Sequence, residues 1–479
     1  MVALYAHRPA AVPLIKIPLL SGVYADSVAD FIESYPRNRE PVVMATGLSE
    51  GYLRVTAGIA PVATGFGADR GAINWNGTCY RVSGSQLIAV SSTGGVTDLG
   101  SVGGGGQCSL DYSFDNLIIA SGGRLYYYNG TEGLRQVTDP DLGVALDAIW
   151  IDGYTMTTDG EFLVVTELND PMAVDPTKYG SSEEDPDPVV GLFRNRGEVY
   201  ALNRNTIEVF DNIGGNGFPF QRNAGAQIPV GCVGAQAKAR FNQSFAFVGG
   251  ARNEAIGVYY AGAGSAEKIS TRRIDDLLAA LTEEQQAAII VESRADSDEE
   301  RLLVHLPNET LVFYREASRV SGQRIWAVYA SGIAADQAYR GRNGAMAYGK
   351  WVVGDALGNI GAIDSSITTH FGDVTGWQFD TGLLFNENGR GIVNSLELIG
   401  IPGRAPVGSD PRAFMSYTID GSTWSQERAI STGAAGQRAK VMQWRHAFRF
   451  NRWASVRFRG ADEGMAAFAR LDAAVQALT

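Results

Sequence analysis

Cysteine is nearly absent. Cys79, Cys108 and Cys232 are the three thiols in 479 residues, far apart and odd in number. With no CxxC pair, neither a zinc knuckle nor a disulfide framework is signalled, and a reducing compartment is the ordinary reading. Histidine is as scarce: His7, His305, His370 and His446 are scattered, with no HExxH and no i, i+4 pair. No GxSxG elbow occurs, and the four glycines Gly103 to Gly106 lack a following GK[ST], so they form a loop rather than a phosphate cradle. No apolar run reaches membrane-spanning length. Pro13, Lys16 and Pro18 interrupt the mildly apolar N-terminus where a signal-peptide core would lie. A net charge of −12 excludes a nucleic-acid coat held by bulk attraction. Ordinary solubility, or an acidic lumen that DNA passes without sticking, gives the same balance. No catalytic constellation, metal set or cofactor motif emerges.

What is abundant is glycine, with 58 residues dispersed without period. Dispersed glycine means many tight turns, hence many short strands, and 10% aromatic residues suit strands as well. The stretch "LIIASGGRLYYYNGTEGLRQV" (Leu117 to Val137) reads as strand, turn, strand. Setting Leu125 against Leu87 of "YRVSGSQLIAVSSTGGVTDLG" also sets Gly122 against Gly84 and Gly133 against Gly95. Similar hairpins recur at 198–210, 244–260, 301–314 and 349–364, with a weaker one at 161–174. Such spacing is that of propeller blades, in which each small sheet buries its faces on its neighbours. The expected fold is all-β: a β-propeller of about seven blades, with six or eight also compatible. A sandwich or solenoid built of similar hairpins is the alternative.

One helical insert interrupts the strands at 270–292. Ile274, Leu277, Leu278 and Leu281 fall on one helical face, and Thr282 with Gln285 forms a capping box for a second helix. After about Ile367 the strands lengthen and alternate, which indicates a C-terminal β-sandwich. The expected division is an N-terminal extended segment for assembly and propeller closure (1–65), the propeller with its insert (66–370) and the sandwich (371–479).

Two charge clusters are candidate sites. Between Glu427 and Asp462 there are eight Lys or Arg and no carboxylate. Within that stretch Arg445, Arg449, Arg452 and Arg457 are the candidate partner interface, interleaved with Trp444, Phe448, Phe450 and Trp453. A cationic strand face docking an acidic partner subunit is the favoured reading. Direct contact with a nucleic-acid strand and a solvated face are the alternatives. Asp170, Asp175, Glu183, Glu184, Asp185 and Asp187 crowd among prolines without calcium-loop spacing, which reads as an exposed acidic loop. "TIDGSTW" (Thr418 to Trp424) is similar to an Asp-box hairpin but one residue short, and so reads as an Asp-Gly turn.

Several stretches together resemble one family. "DSVADFIESYPRNREPV" with "GYLRVTAGI", then "DPTKYGSSEEDPDPVVGLFRNRGEVYALNRNTIEVFDNIGG", and then "EKISTRRIDDLLAALTEEQQAAIIVESRADSDEERLLVHLPNETLVFY" are similar to packaged-DNA stabilisation, or tail hub (nozzle), proteins of short-tailed bacteriophages. The likeness spans most of 24–330 and weakens toward the C-terminus. It implies a structural, non-enzymatic virion protein, assembled in the host bacterial cytoplasm as a ring of typically six copies below the portal and adaptor rings. Such a ring continues the DNA channel, lets genomic duplex DNA pass without sequence recognition, and carries tailspikes, fibres or a needle. It implies no cofactor. The competing reading is a propeller glycosidase or a carbohydrate-binding tail component, which needs paired carboxylates in a sugar-sized pocket.

Overall fold

The computed structural model describes residues 13–478, except 21, 26–30, 45–47, 169, 184–185, 263, 297–298, 386–388 and 462–463. Among these residues seven antiparallel sheets follow one another along the chain, at 69–101, 109–136, 147–181, 189–222, 238–268, 290–338 and 342–364. They are blades one to seven, and every hairpin singled out from the sequence falls in a different one. Six of those hairpins contain the middle strands of their blade; the weaker 161–174 hairpin is instead the third strand and the outermost one.

The reason for continuous apolar runs lies in how blades stack. All of Leu117, Ile118 and Ile119 are fully buried. Leu117 and Ile119 pack with Trp75, Val82 and Leu87 of blade one, whereas Ile118 packs with Ala148 and Val164 of blade three. A strand covered on both faces cannot alternate apolar with polar. The aligned glycines also share a cause. Gly84 and Gly122 have φ +59° and +58°, and a Cβ there would lie 2.8 Å and 2.7 Å from the carbonyl oxygens of Phe66 and Gly104.

Closure is non-local. Blade seven takes its outermost strand from Gly58–Thr64, antiparallel to Asn359–Asp364, with Ile59 opposite Ile363. The seam between blades seven and one is locked by Arg81, which is fully buried. Its guanidinium pairs with Asp69 at 2.7 Å and donates to the carbonyls of Val352 (3.1 Å) and Asn343 (3.0 Å). The Gly103–Gly106 loop wraps a second guanidinium: Arg70 donates to the carbonyls of Gly103 and Gly106.

The helical insert is Arg272–Ala279 and Glu283–Ala287, with Ile274 and Leu278 buried and both capping-box bonds of Thr282 and Gln285 formed. A third helix, Arg315–Ser321, closes with Gly322 in the left-handed region.

Two further sheets form the sandwich. One orders Trp377–Asp380, Trp453–Gly460, Arg412–Thr418 and Arg428–Ser431; the other orders Arg39–Val43, Gly51–Val55, Ala467–Leu478, Arg390–Ile401 and Gln443–Phe450, with Leu14–Pro18 also paired to Ala467–Leu478. Three strands from the N-terminal sixty residues thus belong to the sandwich, and the next closes the propeller. Trp377, Phe379, Trp444, Phe458 and Phe468 fill the space between the sheets.

Arg81→Met leaves Asp69 buried without its cation, a change that typically costs about 3–5 kcal/mol. Urea unfolding should show that loss at the seam, and a variant as stable as the parent would contradict the lock.

Candidate functional site

The first strands of the blades face one another around the propeller axis, and their carboxylates are occupied. Asp111 accepts the Trp150 N–H at 2.7 Å, Asp147 the Leu192 N–H at 2.8 Å, and Glu292 the Gly344 N–H at 2.6 Å. Each reaches from one blade to the next. Each also faces a cation: Arg194, Lys238 and Arg294 respectively. Across the axis the side chain of Gln236, two residues before blade five, donates to Ser109 of blade two at 2.8 Å. Blades two and five are three steps apart in a ring of seven, so this contact spans the centre and leaves no passage for a duplex.

One constellation has the connectivity of a hydrolase triad. His305 sits between Thr310 (2.9 Å to Nδ1) and Glu292 (2.6 Å to Nε2). Thr310 and His305 are 1% and 4% exposed, and Glu292 is held by Arg294 as well. The arrangement pins blade six to blade seven, through the Gly344 N–H bond to Glu292, and both His305 and Thr310 are buried. Burial alone would raise the Glu292 carboxyl; Arg294, His305 and the Gly344 N–H together bring it well below the usual range. Burial depresses His305, and burial with the nearby Arg340 lowers His370 to about 4.

The propeller and sandwich meet at Arg37 to Glu40. Arg37 pairs with Glu309 of blade six at 2.6 Å, while its backbone N–H bonds Gln378 at 2.7 Å. Asn38, at φ +51°, donates to Ala330 (2.8 Å) and Gly376 (2.7 Å) and accepts the Ala330 N–H. Arg39 is 1% exposed, its guanidinium 4.3 Å from the Trp377 ring centre and bonded to the Ala466 carbonyl at 2.6 Å. Glu40 accepts from Arg54 (2.8 Å), Arg301 (3.2 Å) and the Tyr329 hydroxyl (2.8 Å). Sequence reading used these four residues only as part of a family likeness. Their density of charge between Pro36 and Pro41 was the available signal.

The basic stretch divides. Arg445, Arg449 and Arg452 are exposed and make no ion pair among the described residues. Arg457 does not join them: it forms a two-toothed ion pair with Asp380 (2.6 and 2.9 Å) and lies 3.8 Å from the Trp424 ring centre. Strand alternation turns Trp444, Phe448 and Phe450 inward, with Phe448 stacked on Tyr417, so those rings cannot stack on bases. Trp453 stays half-buried, edge-on to the exposed Phe31 and opposite the exposed Phe385. Arg428 donates to the carbonyls of Arg445, His446 and Ala447, which covers the outer edge of Gln443–Phe450.

The acidic segment divides too. Asp170 and Asp175 lie on the strand Asp170–Ser181, the outermost of blade three and not a loop. Asp170 is exposed, and Asp175 accepts the Thr177 N–H at 2.9 Å. Glu183 is exposed, whereas Glu184 and Asp185 are outside the described residues. Asp187 is buried and accepts the N–H groups of Asn205 and Thr206, so it holds a blade-four turn.

Two family models match the chain. Bacteriophage P22 Gp10, beta-propeller, covers residues 15–368, and Bacteriophage P22 Gp10, beta-sandwich, covers 376–476. The chain belongs to the P22 Gp10 family. The two family regions part within 368–376, where the chain leaves blade seven for the strand beginning at Trp377. A curated member, the tail hub protein gp10 of Salmonella phage P22, is 26% identical over 477 residues, covering 93% of this chain and 96% of that one. Among solved structures, the Neurospora crassa Pan2 WD40 domain is similar at 10% identity and TM-score 0.42, over 65% of this chain and 96% of that one. The N-terminal domain of Nup159 is similar at 10% and 0.41, over 68% and 98%.

Glu40→Ala removes one of the two carboxylates that Arg301 faces, leaving Asp296, and takes the acceptor from Arg54 and Tyr329, so a loss of about 1.5–3 kcal/mol is expected. Limited proteolysis of this variant should release propeller and sandwich separately; parent-like resistance would count against the joint. Acid should also weaken the fold. An unfolded His370 takes a proton below about pH 6.5, and the folded one refuses it until about pH 4. Stability therefore falls as pH drops through that window, by about 2–3 kcal/mol at pH 4.5 from this group. Urea titrations at pH 7 and 4.5 should show the loss, and His370→Gln should reduce it.

Proposed function

We propose that the chain is a subunit of a tail hub, a structural virion protein of a short-tailed bacteriophage. The observation that carries this reading is the end-to-end relation to a tail hub protein: 96% of that relative aligns, propeller and sandwich alike. The reading extends to a ring, six copies as the family implies, seated below an adaptor ring and carrying tailspikes, fibres or a needle. Assembly takes place in the host cytoplasm and the ring resides in the virion tail. Genomic duplex DNA passes along the axis of the ring. The hydrogen bond between Gln236 and Ser109 supports that choice of axis, since it obstructs the alternative path through each propeller. The exposed Arg445, Arg449 and Arg452 serve as a contact for an acidic protein partner, in keeping with their aromatic neighbours facing inward. A net charge of −12 keeps the remaining surface from adhering to the passing phosphates.

Light scattering or native mass spectrometry of the purified chain, alone and with its adaptor ring, tests the reading. A closed ring, formed spontaneously or on the adaptor, is the expected result, seen as a multiple of 51.2 kDa. A monomer indifferent to the adaptor overturns it.

A further inference from the structure

The ring proposed above needs two different surfaces that fit each other, because repeating one head-to-tail contact closes a ring whereas a self-complementary patch stops at a dimer. One surface has the composition of an interface centre. At the turn between Gln443–Phe450 and Trp453–Gly460, the exposed Arg449 and Arg452 flank Trp453, whose ring meets Phe31 at 5.7 Å and lies opposite Phe385. Phe31 and Phe385 are 55% and 64% exposed. Aromatic side chains beside arginine are what buried interface centres are enriched in.

The charge pattern indicates the occupant. Of the eight cations between Arg428 and Arg459, Arg457 and Arg459 are matched by Asp380 and Glu427, whereas the exposed Arg445, Arg449 and Arg452 make no ion pair among the described residues, in a chain whose net charge is −12. A second copy of this chain is therefore an acidic partner. Its complementary surface follows from the blade count. The sandwich is fastened to the rim at blades six and seven: Arg37 bridges Val328 on an outer strand of blade six, and the chain runs on into Gly58–Thr64, the outermost strand of blade seven. In a ring of seven, the blade opposite the six–seven boundary is blade three. The rim of blade three is the strand Asp170–Ser181, where Asp170 is exposed, Asp175 is half-buried and the one cation, Lys178, is matched by Glu167, with Glu161 exposed just before the preceding strand. Basic and acidic surfaces thus lie at opposite rims of one subunit, which is the disposition a head-to-tail contact requires.

We infer that Arg449, Arg452 and the Phe31–Trp453–Phe385 cluster of one subunit receive the acidic rim of blade three, centred on Asp170 and Asp175, of the next. The inference rests on the ring reading and assigns its subunit contact. Charge complementarity sets the partner and register, and the aromatic cluster supplies the desolvated centre.

Charge reversal tests it. R449E/R452E and D170K/D175K each place like charges across the contact, so each variant alone should run as a single 51.2 kDa subunit in light scattering under conditions where the parent forms rings. Mixed in equal amounts, the two should form rings again, because every contact is then either native or swapped in sign. Far-ultraviolet circular dichroism and the unfolding midpoint should match the parent, since these side chains are exposed or lie at the rim. Parent-like rings from either variant alone, or no rescue on mixing, overturns the contact and leaves the hub reading intact. A parent that forms no ring, with or without the adaptor, overturns the hub reading and the contact with it.

Discussion

Arg37, Asn38, Arg39 and Glu40 divide their bonds between the propeller and the sandwich. Arg39 puts a guanidinium into the sandwich core between Trp377 and Phe468, and Glu40 puts a carboxylate against Arg301 and Tyr329 in blade six. Neither charge could be left there alone, because an uncompensated buried ion costs several kcal/mol. Arg39 is compensated within the sandwich, so it is Glu40, through Arg301 and Tyr329, that ties the docking of the two units to one arrangement. Everything outside the propeller, including the exposed basic turn and the register of the N-terminal strands, takes its position from this requirement.

How much of this was legible in the sequence depends on how far apart the partners lie. The hairpins were readable because a strand and its turn are neighbours: Leu117 to Ile119 and Gly122 announce themselves within ten residues. The capping box at Thr282 and Gln285 was readable for the same reason. Hairpin recurrence pointed to about seven blades, with six or eight also compatible, and the fold has seven. Closure was less legible, since Gly58–Thr64 pairs with a strand three hundred residues downstream and its own pattern is unexceptional.

At the candidate site the same limit applied more sharply. Nothing in "ASVRFRG" distinguishes Arg457 from Arg449. The difference is Asp380, 77 residues earlier, which the fold brings within 2.6 Å. Asp187 likewise reads as one more member of an acidic run until the turn at Asn205 and Thr206 supplies its two N–H donors. Charge asymmetry along a chain indicates where contacts can form. It does not say which charges the fold has already paired.

The sheet that joins Arg39–Val43 and Gly51–Val55 to Ala467–Leu478 also sets a timetable. Arg39 and its acceptor Ala466 are 427 residues apart. At about 5–20 residues per second, a ribosome needs roughly twenty seconds to a minute and a half to make that stretch. Blades one to six can stack as they emerge, and Arg39–Val43 can pair with Gly51–Val55, but Leu14–Pro18 must wait until the last strand is made. Nascent chains would then carry a half-built sandwich throughout synthesis, although the bonds from Arg37, Asn38 and Glu40 to blade six can form once Ala330 has emerged. A chain cut short late in translation would keep those bonds to blade six but lose the strand Ala467–Leu478, and with it the only sheet partner of Leu14–Pro18 among the described residues.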